Sequence, residues 1–278
     1  MQPAGAPRWS RDALIASPMF TSVRSLVAGL PETGFPALDA LNAIAADRRI
    51  VTGGGAALRF VAAGAHPDAT GRSYEERVFE TGAVPTRESS WHDLFNALIW
   101  LAFPRTKATL NRRHCEELRE RRGHPLRGTA RDVLTLFDEG GVLVACADPS
   151  LAGLLREFRW KELFWQRRSD VRRRMRFHVF GHAILETALA PFRGLTAKAL
   201  ILDARDDALE SPTDVLNAVL DARAAEYFAA PEALASTRSL APLPILGIPG
   251  WTTENDDPAY YDDVGQFRPG RRRGREPA

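Results

Sequence analysis

The chain has 278 residues, 45% of them hydrophobic and 26% charged, so it is long enough to bury a large core and has the composition of a globular protein. Its two cysteines, Cys115 and Cys146, are too few for a disulfide framework or a cysteine-based zinc site, and the chain has no secretory signal pattern, so we expect a cytoplasmic protein. The longest apolar run falls far short of the about 20 residues that a membrane span needs, so we expect no membrane helix.

The net charge of +2 is unevenly distributed along the chain. Residues 105–176 carry 18 basic and 10 acidic side chains, whereas residues 177–267 carry 5 and 14. One interpretation is that the two segments complement each other within one fold. The other is that segment 105–176 binds phosphate or nucleic acid, because clustered basic side chains attract phosphate groups.

Apolar spacing predicts the secondary structure in chain order. Helices are expected over residues 10–29 and 36–49, then strands near 58 and over 73–80, then a loop over 82–90. The central prediction is a helical hairpin at 91–118. The later predicted elements are a helix at 129–139, a strand at 142–146, a strand near 177, a helix at 182–186, a strand near 200, a helix at 211–228, an extended strap at 242–269 and a disordered basic tail at 270–278.

The predicted hairpin has an unusual polar face on each of its helices. Apolar side chains fill most of the circumference of the first helix, which leaves one narrow arc. That arc consists of His92, Asp93, Asn96 and Trp100. Pro104 can begin the second helix, since a first-turn residue needs no N–H. The second helix places three polar residues at i, i+4 and i+7, namely Lys107, Asn111 and His114.

An antiparallel hairpin makes specific side-chain contacts. The predicted pairs are Asp93 with His114, Asn96 with Asn111, and Trp100 with Lys107. Two interpretations remain open, because the same polar arcs could line a cleft or could form a buried hydrogen-bond network that fixes how the helices cross.

Two later segments carry further polar faces. The helix at 129–139 has one such face, made of Arg131, Asp132, Thr135 and Asp138. His182 and Glu186 lie four residues apart at the start of the next helix, after Gly181, whereas His178 is assigned to the preceding strand. The pair could act in acid–base catalysis, or it could be half of a metal site that His92, Asp93 or His114 completes.

Several catalytic motifs are missing from the sequence. The chain has no Gly-x-Ser-x-Gly, His-Glu-x-x-His, paired Cys-x-x-Cys, Walker or dinucleotide-binding pattern. The sequence therefore assigns no cofactor and no metal ligand, and a divalent metal is the less favoured alternative.

Some motifs are similar to those of a known family. They include the stretch Trp91-His92-Asp93 through Lys107 with Asn111 and His114, Phe180-Gly181-His182-Ala183 with Glu186, Leu195-Thr196-Ala197-Lys198 and Pro249-Gly250-Trp251. The chain resembles, over about residues 8–269, the bacterial family known as domain of unknown function 3025. The resemblance implies no activity, and His178 is not part of its pattern.

These patterns together predict a single α+β domain over residues 8–269, helix-rich, with a small mixed or antiparallel sheet. We predict a hydrolase or a phosphate-handling enzyme that acts on a small anionic ligand. His92 or His182 would be the general base, Asp93 or Glu186 would orient it, and His114 would complete the catalytic set. The expected substrate-binding residues are Asn96, Arg105, Lys107, Asn111, Arg131, Asp132, Thr135 and Asp138. The alternative is a nucleic-acid-binding or partner-binding module that uses residues 105–176.

Overall fold

A computed structural model describes residues 8–64, 71–120 and 128–270, so the predicted tail from residue 271 onward lies outside the described residues. The helices are α1 (Arg11–Ala16), α2 (Arg24–Ala28), α3 (Leu38–Asp47), α4 (Tyr74–Thr81), α5 (Trp91–Ala102), α6 (Pro104–Glu120), α7 (Thr129–Gly140), α8 (Pro149–Arg156), α9 (Arg168–Arg174), α10 (His182–Thr187), α11 (Asp206–Leu209) and α12 (Thr213–Ala229). The strands are β1 (Arg59–Ala62), β2 (Ala83–Thr86), β3 (Gly141–Cys146), β4 (Met175–Val179), β5 (Thr196–Asp203) and β6 (Ala241–Pro244). The predicted α+β class is confirmed. No helix in these ranges is long and apolar enough to cross a membrane.

The larger sheet has the strand order β4–β3–β5–β6. Strands β3 and β5 are parallel, and the two outer strands pair with them in the antiparallel direction, so the sheet is mixed as predicted. Every residue of β3 is buried, which is why its sequence is a continuous apolar run rather than an alternating one. The predicted strands near residues 143, 177 and 200 all belong to this sheet.

The smaller sheet consists of β1 and β2, which pair in parallel. Strand β1 confirms the strand predicted near residue 58, but β2 lies where we predicted a loop. Pro85 is the reason for that error, because a proline usually argues against a strand interior. In a two-stranded sheet each strand has a free edge, so a proline is tolerated there.

Residues 73–80 belong to a helix, and the predicted strand at this position is wrong. The N–H of Glu76 donates to Ser73 Oγ at 3.3 Å, and the N–H of Ser73 donates to Glu76 Oε2 at 3.0 Å. This capping box satisfies two N–H groups at the helix start, and Gly82, with a φ of 72°, ends the helix in the left-handed conformation. The Ser-x-x-Glu pattern at the start and the glycine at the end therefore determine that this segment is a helix.

The helical hairpin is present, with α5 and α6 separated only by Phe103. The start of α6 is held by another helix. The backbone N–H groups of Arg105 and Thr106 donate to the carboxylate of Asp221 on α12, at 3.0 and 2.7 Å. Asp221 therefore caps α6 from outside and fixes it against α12.

Gly181 allows two chain segments to come unusually close. The N–H groups of Phe180 and Gly181 both donate to the carbonyl oxygen of Gly141, at 2.9 and 2.8 Å. A Cβ atom on Gly181 would lie 2.4 Å from the carbonyl oxygen of Glu139 and 2.5 Å from the nitrogen of Gly141. The end of α7 and the start of α10 are therefore in direct backbone contact.

We expect Gly181→Ala to destabilise the fold by about 1–3 kcal/mol, because the new methyl group overlaps backbone atoms that cannot rotate away. The matched control is Gly153→Ala in α8, where nothing lies within 4 Å of the added atom. That control should instead gain about 0.4–1 kcal/mol through a less flexible unfolded chain. Urea unfolding of both variants provides the measurement, and equal stabilities would contradict the close contact.

The C-terminal segment crosses the core surface after β6. Asn255 is fully buried, and its Nδ2 donates to the carbonyl oxygens of Leu246 and Ile248 at 3.0 and 2.7 Å. The hydroxyl of Tyr261 donates to the carbonyl oxygen of Gly247 at 2.9 Å. These bonds satisfy a backbone that is too rich in proline and glycine for longer regular elements.

Candidate functional site

Four helices meet at one place in the fold. They are the first turn of α5, the first half of α6, the last turn of α7 and the start of α10. Together they contribute His92, Lys107, Asp138, Glu139, His182 and Glu186. We call these six residues the His–carboxylate cluster.

Two histidines form the centre of the cluster. The Nε2 atoms of His92 and His182 face each other at 3.1 Å. Their ring centroids are 4.5 Å apart and the ring planes are inclined by 75°. His182 is buried, whereas the side chain of His92 is 33% exposed. The pair therefore joins a buried histidine to one that solvent can reach.

Glu139 adds a carboxylate to the two facing nitrogens. Its Oε2 lies 3.5 Å from His182 Nε2, and one ligand atom from each of Glu139, His92 and His182 lies within 4.8 Å of the others. The Glu139 side chain is 45% exposed. Three metal-type donor atoms thus converge at the solvent-facing edge of the cluster.

Each imidazole also has a carboxylate on its other nitrogen. His92 Nδ1 lies 3.0 Å from Glu186 Oε2, which is hydrogen-bonding distance. His182 Nδ1 lies 3.8 Å from Asp138 Oδ2, too far for a hydrogen bond, and it makes no hydrogen bond of normal geometry among the described residues. The main chain of Asp138 is nevertheless close enough to His182 to oppose the fall in its pKa. Both histidines therefore have a carboxylate near Nδ1, but only His92 is within hydrogen-bonding distance of it.

Lys107 is the lysine of the cluster, and its side chain is buried. Its Nζ donates to Asp138 Oδ1 at 2.6 Å and to Asn96 Oδ1 at 2.9 Å, and it lies 5.3 Å from the ring centroid of Trp100. Lys107 is 5% exposed. A buried ammonium group of this kind persists because it has a paired carboxylate and a second acceptor.

The charge states follow from burial and from this ammonium group. Burial raises the pKa of Asp138, but attraction by Lys107, His182 and His114 and the hydrogen bond from Lys107 together outweigh it, so the pKa of that carboxyl lies below its ordinary value. Burial lowers the pKa of His182 to about 4, against partial opposition from Asp138. Burial and repulsion by Asp138 raise the pKa of Glu139. His182 is therefore a neutral imidazole near pH 7.

Helix α4 forms hydrogen bonds with two asparagines of the α5–α6 hairpin. Asn96 Nδ2 donates to the hydroxyl of Tyr74 at 3.3 Å, and Asn111 Nδ2 donates to Glu75 Oε2 at 2.9 Å. Burial raises the pKa of Glu75, and repulsion by Asp138 adds to this effect. These contacts connect Asn96 and Asn111 to α4 rather than to each other.

The predicted contacts across the hairpin are partly confirmed. The Trp100–Lys107 pair exists as a cation–π contact. The Asn96–Asn111 pair is wrong, because Asn96 binds Lys107 and Tyr74 instead. Both Asp93 carboxylate oxygens accept hydrogen bonds from the Arg87 guanidinium, at 2.8 and 2.9 Å, rather than turning toward His114. These bonds outweigh burial and lower the pKa of Asp93.

The other predicted site residues lie at different distances from the cluster. Arg105 lines a separate pocket between α6 and α12, together with Asp221. His114 is buried on α6 and contributes to the low pKa of Asp138. Arg131 lies close enough to Glu75 to oppose the rise in its pKa. Along α7, Asp132 is exposed and Thr135 is half-buried.

Three residues around the cluster were missed from the sequence. Tyr74 and Glu75 lie in the segment for which the sequence predicts a strand, and a strand does not place them on the helix face that they occupy. The i, i+4, i+7 pattern of α7 selects Asp138 rather than Glu139. A usable signal was its position, since Glu139 directly precedes the Gly140–Gly141 stop and so must lie where the chain enters the central strand.

Comparison with known proteins identifies one family. The family described as "Protein of unknown function (DUF3025)" matches residues 58–271 of this chain. The match includes every residue of the His–carboxylate cluster. Comparison with curated proteins and with solved structures gives no match.

Proposed function

Since the chain belongs to the DUF3025 family, whose description assigns no activity, its function has to be inferred from its own residues, and we propose that it is a hydrolase. The reaction centre is the His–carboxylate cluster. The observation that carries this proposal is the pair of facing Nε2 atoms, 3.1 Å apart, with Glu186 hydrogen-bonded to the outer nitrogen of the accessible histidine. A carboxylate that orients an imidazole in this way is a common acid–base arrangement.

Water is the nucleophile that this site best supports. Burial raises the pKa of Cys115 to about 12 and also raises the pKa of Cys146, so neither cysteine is a thiolate near pH 7. No serine stands in a Gly-x-Ser-x-Gly turn. The cluster, in contrast, places basic nitrogens and a carboxylate at a solvent-accessible edge.

In the proposed reaction, a water molecule bound at this edge gives up a proton to the cluster. The water oxygen forms a bond to the electrophilic carbon or phosphorus of the substrate, the bond to the leaving group breaks, and the leaving group takes up the proton. Glu186 holds His92 in one orientation throughout. Lys107 keeps Asp138 ionised and so fixes the charge behind His182.

The ion pairs of the basic segment favour this proposal over nucleic-acid binding. Several basic side chains of segment 105–176 contact acidic residues from the last third of the chain. These pairs are Lys161–Asp262, Arg168–Asp256 and Arg174–Asp206. The excess charge is thus partly neutralised inside the fold, as one interpretation of the sequence expected. Lys107, a buried basic residue of this segment, is already bound to Asp138 and Asn96.

The proposal is tested by assaying the full-length protein against chromogenic carboxylic esters, phosphate monoesters, phosphate diesters and amides. We expect hydrolysis of at least one class, and we expect Glu186→Gln to lower kcat/KM by about 10–100-fold because His92 loses its orienting carboxylate. The matched control is Glu210→Gln, an exposed glutamate on the loop before α12, which should leave the rate unchanged. If no class is hydrolysed above the rate of the His92→Ala variant, the proposal is wrong.

A further inference from the structure

We propose that His92 Nε2, His182 Nε2 and the Glu139 carboxylate bind a Zn²⁺ ion, with a water molecule in the fourth position. This inference rests on the proposed function, because it names what activates the water. It also has its own evidence, which is the set of distances between the two imidazoles and the carboxylates around them.

The two imidazoles cannot satisfy all their neighbours without a cation between them. If His92 carries its hydrogen on Nδ1 and donates to Glu186, the His182 hydrogen must lie on Nε2, between the rings. His182 Nδ1 is then a buried lone pair that faces the Asp138 carboxylate at 3.8 Å. A buried nitrogen without a hydrogen-bond partner destabilises the fold.

The opposite arrangement is no better. If His182 carries its hydrogen on Nδ1, toward Asp138, the shared hydrogen must come from His92 Nε2. His92 Nδ1 then presents a lone pair to Glu186 Oε2 at 3.0 Å, where two acceptors repel each other. In either arrangement of two neutral imidazoles, one carboxylate faces a lone pair.

A divalent cation removes this conflict. With the ion between the rings, both Nε2 atoms act as ligands through their lone pairs, and both Nδ1 atoms carry hydrogens. Each N–H then points toward a carboxylate, Glu186 for one ring and Asp138 for the other. Histidine ligands of metal ions commonly have a carboxylate on the second nitrogen, which orients the ring and increases its basicity.

The distances fit a zinc ion. Tetrahedral bonds of about 2.0–2.1 Å from zinc to nitrogen or oxygen place neighbouring ligand atoms about 3.3 Å apart. The two Nε2 atoms are 3.1 Å apart, and Glu139 Oε2 lies 3.5 Å from His182 Nε2. Closing the third side of the triangle needs a small rotation of the half-exposed Glu139 side chain.

The ligand set also agrees with a catalytic role. Two histidines and one glutamate form a known set for catalytic zinc, in which the fourth position holds water. His92 and Glu139 are both partly exposed, so the fourth position faces solvent. Zinc lowers the pKa of its bound water to about 7, which makes hydroxide available at neutral pH.

The test uses the full chain without a histidine tag. Protein that has never met a chelator is analysed for metal by mass spectrometry, and metal-free protein is then titrated with Zn²⁺ by calorimetry and with Co²⁺ by visible absorption. We expect one ion per chain and the intense visible bands of four- or five-coordinate cobalt. His92→Ala and Glu139→Gln should each weaken Zn²⁺ binding more than Glu186→Gln, for which about a 10–100-fold loss is expected.

The controls separate ligand loss from misfolding. His92 and Glu139 are partly exposed, so their substitution should leave the unfolding transition of the metal-free protein nearly unchanged. Glu210→Gln should bind Zn²⁺ as the unaltered chain does. The proposal is overturned if neither Zn²⁺ nor Co²⁺ binds at one ion per chain, or if binding survives unchanged in both His92→Ala and Glu139→Gln.

The failure of this inference is distinguishable from failure of the proposed function. Stoichiometric Zn²⁺ binding with no hydrolysis of any substrate class would support the metal site and refute the hydrolase. Hydrolysis that persists unchanged after complete removal of metal would support the hydrolase and refute the metal ion as the group that activates the water. His92 would then be the general base, with Glu186 as its orienting carboxylate.

Discussion

Lys107→Met is expected to destabilise the fold by about 3–5 kcal/mol, the range found when one partner of a buried ion pair is removed. Methionine keeps the apolar part of the side chain, so the loss isolates the ammonium group. Without it, the Asp138 carboxylate remains in the interior with no positive partner at 2.6 Å, and Asn96 Oδ1 loses its donor at 2.9 Å. The free energy of unfolding is measured with urea at pH 7.

Lys161→Met provides the matched control. Lys161 also contacts a carboxylate at 2.7 Å, that of Asp262, but both side chains are exposed, at 39% and 63%. Screening by water should limit its effect to less than about 1 kcal/mol. Adding Asp138→Asn to Lys107→Met should restore part of the lost stability, because an amide carries no unpaired charge. Equal losses for the two lysine variants would refute the role assigned to Lys107.

The sequence predicts the strongly patterned elements of the fold. Strand β3 is recognisable because it is wholly apolar and follows two glycines. The α5–α6 hairpin is recognisable because its apolar periodicity is long and is interrupted only at Pro104. Helix α4 and strand β2 are not recognisable in this way. They are short, and local bonds such as the Ser73–Glu76 capping box decide their conformation more than periodicity does.

The residues of the candidate site also divide into those that the sequence pattern selects and those that it does not. His92, His182 and Glu186 could be selected from the sequence, because two helix starts carry polar residues where core residues are expected. Helix spacing does not select Glu139, because its contact with His182 depends on the close approach at Gly181. Helix spacing describes one helix at a time, whereas this contact joins residues 43 positions apart that only the sheet brings together.

Only the tertiary structure shows which charged side chains of the basic segment pair with acidic residues of the same chain. Counting charges along the chain cannot distinguish a binding surface from internal complementarity. Asp256 and Asp206 lie far from Arg168 and Arg174 in sequence but contact them in the fold. Such pairs are exposed on at least one side and contribute little to stability individually. Their importance here is that they lower the positive charge available to a polyanion.

Acid is expected to destabilise the fold through His178, which burial keeps neutral. Burial lowers the pKa of His178 to about 4, with a smaller contribution from Arg176 and partial opposition from its bond to Asn217. In the unfolded chain the pKa is near its ordinary value of 6.5. Below about pH 6.5 the unfolded state therefore binds a proton that the folded state does not. His178 alone therefore lowers stability by about 3 kcal/mol as the pH drops from about 6.5 to about 4.

The measurement is urea unfolding at pH values from 7 to 4, for the unaltered chain and for His178→Gln. Glutamine can still donate to Asn217 Oδ1, which lies 2.6 Å from His178 Nδ1, but it does not titrate. The variant should lose about 3 kcal/mol less than the unaltered chain over this range. Parallel stability curves would contradict the prediction.

His178 also shows why a four-residue spacing alone does not define a site. His178, His182 and Glu186 would share one face of a continuous helix, but the chain is extended at β4 and turns at Gly181 before α10 begins. The strand directs His178 toward Asn217 on α12, whose amide also donates to the carbonyl oxygen of Ser22 at 2.8 Å. His178 thus has a bonded amide partner inside the core, whereas His182 has an unsatisfied nitrogen at the edge of a cluster. That difference in bonding is what separates a structural histidine from a candidate ligand.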